Sequence, residues 1–85
     1  MNKFYLEVRD ELPSHHIIVT VFQYKRSSVR ESHDWFYIDR DDSNILYSVC
    51  EKPAKALMYL SHEDVEIRDL AKLILQCNEP VEVKQ

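Results

Sequence analysis

With 85 residues, 45% of them apolar, and a net charge of −4, the chain forms one domain, residues 1–85, whose core is just large enough to fold without staples. It contains no glycine, so the glycine-dependent phosphate loops, Walker and dinucleotide fingerprints alike, are ruled out. Residues 1–33 carry five Lys or Arg against four acids and residues 34–85 six against eleven, a balance that disfavours non-specific binding to phosphate backbones over most of the surface.

The N-terminal stretch MNKFYLEVRDELP is broken by charges too often for a signal peptide, and no apolar run approaches membrane-spanning length. Two cysteines, Cys50 and Cys77, fit free thiols better than a disulfide in such a chain. The expectation is a cytoplasmic protein with no membrane contact.

Lys3 to Arg9 alternates, with Phe4, Leu6 and Val8 on one side and Tyr5, Glu7 and Arg9 on the other, which predicts a half-buried strand. Asp10 to Ser14, with Pro13, is a turn. His16 to Tyr24 (HIIVTVFQY) is rich in β-branched and aromatic residues and predicts a central strand antiparallel to the first. Lys25 to Asp34 is polar, has little periodicity and reads as an exposed connecting loop. Trp35 to Ile38 predicts a short aromatic strand. Asp39 to Asn44 has the composition of a hairpin turn, with Ile45 to Val49 as the partner strand. The competing reading is a helix from Ser43 through Pro53, opposed by the cost of about 3 kcal/mol for a proline inside a helix.

Pro53 is tolerated at a first helical position, so a short helix begins there with Ala54, Leu57 and Met58 on its apolar face. The stretch SHEDVEIRDLAKLILQCN, Ser61 to Asn78, predicts the principal helix: Ser61 as N-cap paired with Asp64, acids in the first turn, and Asn78 with Pro80 as the stop. Ile67, Leu70, Ala71, Ile74 and Cys77, widened by Leu73, form its buried stripe. Val81 to Gln85 reads as a frayed end or an edge strand. The fold class is therefore α+β, a small antiparallel sheet (order ββββαα) with a short helix and one longer C-terminal amphipathic helix packed on one face.

No chemistry-bearing pattern emerges. None of His15, His16, His33 and His62 pairs with another His or Cys at zinc-site spacing. His33 and Asp34 beside Asp39, Asp41 and Asp42 could hold Mg²⁺ in a nuclease, but solvated turn residues are the better reading of them. Both cysteines behave as small core residues rather than nucleophiles, and no serine has a His and an acid in a recognisable pattern. The chain reads as a non-enzyme with no cofactor and no metal.

The aromatic residues carry the functional reading. If Phe4, Leu6 and Val8 meet the helices, Tyr5 faces away, and Trp35 and Tyr37 share that outer face, with Tyr24 able to join them. Nine aromatics exceed what two short helices can cover, so a partner protein or a second copy of the chain is a candidate cover. Against this stands a structural reading in which the loop or tail folds over them, or they lace neighbouring strands together. The partner-binding candidates are Tyr5, Tyr24, Arg26, Arg30, Trp35 and Tyr37. They suggest a small acidic interaction protein, a regulator or inhibitor that binds and blocks a larger protein, of the kind that phage and mobile elements direct at host systems. The alternative is an RNA or single-stranded nucleic-acid-binding module that stacks bases on sheet aromatics beside Lys25, Arg26 and Arg30, although the RNP1 sequence of an RRM is missing.

Overall fold

A computed structural model describes residues 3–25 and 29–85, and of residues 24, 25 and 29–33 the backbone alone. Three strands come first, β1 (Phe4–Glu11), β2 (His16–Lys25) and β3 (Val29–Asp39). A 3-10 turn (Arg40–Asp42), helix α1 (Ser43–Glu51), a 3-10 helix (Pro53–Tyr59), helix α2 (Val65–Ile74) and strand β4 (Glu82–Lys84) follow. The sheet order is β3-β2-β1-β4. β1 to β3 form an antiparallel meander, and β4 adds parallel to β1 through Tyr5, Leu6 and Glu7. The α+β class with helices on one face of a four-stranded sheet is thus as expected, and β2 is interior; the sheet is mixed rather than antiparallel, and the order is βββ, helices, β rather than ββββαα, because the fourth strand comes from the tail and runs parallel to β1.

The alternation of β1 sets which face is covered. Across the β1–β2 ladder Leu6 lies opposite Val21 and Val8 opposite Val19, and across β2–β3 Val19 lies opposite Phe36 and Ile17 opposite Ile38. These residues join one apolar cluster with Leu46 and Val49 of α1 and with Ile67, Leu70 and Ile74 of α2. The stripe expected on α2 is buried throughout, Leu73 and Cys77 included.

Four local readings are corrected. Val29–Asp34 is the outer half of β3 rather than loop, because cross-strand pairing with β2 continues to Lys25 opposite Val29 despite the weak local pattern. The register slips between Val21 and Phe22, whose partners are Asp34 and Ser32; His33 is the extra residue, as in a β-bulge.

Ile45–Val49 is helical, not a hairpin strand. Leu46, Val49 and Cys50 recur at helical spacing and are buried. Pro53 does not interrupt this helix, which ends at Glu51; Lys52 is extended, as the residue before a proline prefers, and Pro53 opens the next helix. The fourth strand is the tail, β4.

In the Pro53–Tyr59 segment Ala54, Leu57 and Met58 are exposed and Ala56 is buried. A 3-10 helix repeats every three residues, so the inward line is Pro53, Ala56 and Tyr59. Finally, α2 begins at Val65 with Asp64 as its cap, and Ser61 lies in the preceding turn. Among the described residues no helix is long and apolar enough to cross a membrane.

Candidate interaction face

The sheet face away from the helices is built by the other half of each strand's alternation. Glu7 lies opposite Thr20, which lies opposite Trp35; Arg9 lies opposite Ile18, which lies opposite Tyr37. Trp35 is 56% and Tyr37 40% exposed. Their rings meet edge to face at 5.1 Å and 81°, the orientation that the ring quadrupoles favour. His16 stands edge-on to Tyr37 at 6.4 Å. Trp35 and Tyr37 are thus on the outer face, as the alternation predicts.

Tyr5 is on the same face but only 1% exposed. Its ring stacks on Phe22 at 5.1 Å and 15°, and the Lys84 ammonium lies 4.7 Å from its centroid. Tyr5 therefore fastens β4 and β2 to β1 and offers a partner almost no surface, which corrects its place among the contact residues. Tyr24 and Arg30 lie opposite each other on β2 and β3, with their side chains outside the described residues. Arg26 lies outside the described residues altogether.

Two carboxylates border the aromatic pair along the free edge of β3. Asp34 Oδ1 accepts the Trp35 backbone N–H at 2.8 Å, and Glu66 Oε2, from the first turn of α2, accepts that of Tyr37 at 3.3 Å. Two of the edge donors that would template another strand are thus engaged by side chains. Glu66 could not be anticipated, since its reach depends on α2 docking beside β3.

A second exposed apolar group sits on the helical layer: Leu57, Met58 and Leu60, with Val65 at the start of α2. Below it, a cleft of about 600 Å³ is lined in part by Pro53, Leu57, Leu75 and Cys77. Another cleft, of about 420 Å³, lies between β1 and α1. Four of its polar groups pair with one another, Arg40 Nη1 donating to Asp10 Oδ1 at 2.6 Å and the Gln85 amide to the Tyr47 hydroxyl.

Both cysteines are free and buried. Burial pushes the Cys50 thiol up to about 12, with Cys77 nearby adding to the shift, and burial also raises Cys77 against a lowering backbone hydrogen bond at Phe4. Neither has the depressed pKa of a nucleophile.

No protein-family model, no curated protein and no solved structure matches the chain.

Proposed function

We propose that the chain is a small interaction protein that regulates or inhibits a larger protein by laying the open face of its sheet against it. The supporting observation is the Trp35–Tyr37 pair, two large side chains exposed side by side on a face that the helices leave uncovered. Trp and Tyr are the residue types that anchor interfaces, because they bury much area with few rotatable bonds and keep a polar handle. Asp34 and Glu66 border the pair and the chain carries a net charge of −4, so the complementary target surface is basic around an apolar pocket.

The test is affinity capture from the cells that make the protein, using wild-type and Trp35→Ala baits, with and without nuclease. The reading requires a target held by the wild type through nuclease treatment and lost with Trp35→Ala. With the purified target, the substitution should weaken binding by about 2 kcal/mol or more. Capture that survives Trp35→Ala but fails in a Leu57→Asp, Met58→Asp bait would move the interface to the helical layer. Capture abolished by nuclease would replace the protein target with a nucleic acid.

A further inference from the structure

At one end of the sheet, the turn between β1 and β2 meets the junction that follows β3. The Arg40 backbone N–H donates to His15 O at 2.9 Å, which holds the two segments together. Asp39 Oδ1 accepts the Asp41 N–H at 2.9 Å, fixing the first carboxylate of the junction. Arg40, between these acids in sequence, sends its guanidinium to Asp10 and toward Ser14 O instead.

The outcome is that His15 Nε2 lies 3.5 Å from Asp39 Oδ1 and 3.4 Å from Asp41 Oδ2. An imidazole Nε2 carries at most one hydrogen, and charge-assisted N–H···O bonds run to about 2.7–2.9 Å. Here the nitrogen is almost equidistant from two carboxylates, and its one hydrogen bond, with Asp41 Oδ2 at 3.4 Å, is long. The two imidazole–carboxylate separations are close to the edge of a coordination tetrahedron, where ligands about 2.0–2.1 Å from a zinc ion lie about 3.3–3.4 Å from one another. All three donor atoms fall within 4.8 Å of each other. An octahedral magnesium shell has shorter edges, about 2.9 Å, and draws on oxygen rather than imidazole.

We propose that His15, Asp39 and Asp41 form a divalent-metal site of zinc type, with the remaining coordination open to water or to a donor from outside the chain. The donor set, one imidazole and two carboxylates, suits Zn²⁺ and is reached by bringing residue 15 onto residues 39 and 41. It is independent of the aromatic face, and neither reading needs the other.

The experiment is calorimetric titration of the full chain with zinc sulfate and, separately, magnesium sulfate, accompanied by histidine-ring NMR. Zinc should bind one to one and shift the His15 resonances ahead of those of His16, His33 and His62, while magnesium should not compete. His15→Ala and Asp41→Asn, both at exposed positions, should each weaken zinc binding by at least about tenfold, the low end of what even outer-shell changes cost. His16→Ala should retain the wild-type affinity. Circular dichroism of each variant would establish that it is folded. Wild-type affinity in both His15→Ala and Asp41→Asn, or ring shifts confined to His16, His33 or His62, would show adventitious binding and reduce the three residues to a surface cluster.

Discussion

Asp64 fixes the start of α2 by accepting the Glu66 N–H at 2.9 Å, while its own N–H donates to His62 Nδ1 at 3.0 Å. Two donors at this helix entrance are thereby satisfied by side chains. Asp64→Ala should cost about 1 kcal/mol in urea denaturation, whereas Ser61→Ala, in an exposed turn, should change stability by less than about 0.5 kcal/mol. Reversal of that order would return the cap to Ser61. Cys50 supplies a second residue-level prediction. Its thiol ordinarily titrates near 9.0, and burial first, then the proximity of Cys77, pushes it up to about 12. Below the unfolded value both states hold the proton. Between the two values the unfolded chain releases it and the folded chain keeps it, so stability falls as pH rises from 9.0 toward 12. Denaturation midpoints at pH about 8 and about 10.5 should show this fall, and Cys50→Ala should show a smaller one.

Elements differ in how much of their structure is written locally. The α2 stripe and the β1 alternation were legible because each is a periodic pattern whose neighbours agree with it, and both bury the expected residues. The composition of Asp39–Asn44 pointed to a hairpin; instead Asp39 caps a 3-10 turn, and the Leu46, Val49, Cys50 spacing decides in favour of a helix. For Pro53–Tyr59 the helix was legible but its period was not, so the wrong residues were assigned inward. The outer half of β3 depends on pairing with β2, and Glu66 on the docking of α2, and neither is encoded in a local window. The same contrast fixes the energetics. Leu70→Ala and Ile74→Ala, each removing a fully enclosed side chain, should cost about 2–5 kcal/mol through lost transfer energy and the cavity left behind. Leu57→Ala, at 64% exposure, should cost less than about 0.5 kcal/mol. A severe loss at Leu57 would indicate a helical rather than a 3-10 period in that segment.

At the scale of the whole molecule, one face of the sheet is committed to the core, and the other carries the exposed Trp35–Tyr37 pair. Among the described residues Tyr5, stacked on Phe22 with Lys84 over its ring, ties the open face into the fold, and two backbone donors on the edge of β3 beside it are engaged by Asp34 and Glu66. On the proposed function, a target would lie against this face with Trp35 as anchor. Trp35→Ala removes a half-exposed ring and one edge-to-face contact, worth about 0.5–1.5 kcal/mol, whereas Leu70→Ala opens the core. In a chain of 85 residues each kcal/mol moves Tm by about 4–8 °C. Leu70→Ala should lower Tm by about 10 °C or more, or unfold the domain, and Trp35→Ala should lower it by about 10 °C at most. Target binding should divide the other way, with Trp35→Ala lowering affinity at a temperature where both proteins are folded. Thermal denaturation of the two variants side by side decides the assignment: a Trp35→Ala protein that melts as early as Leu70→Ala would make the aromatic pair a structural clasp, and the open face would no longer be the place to look for a partner.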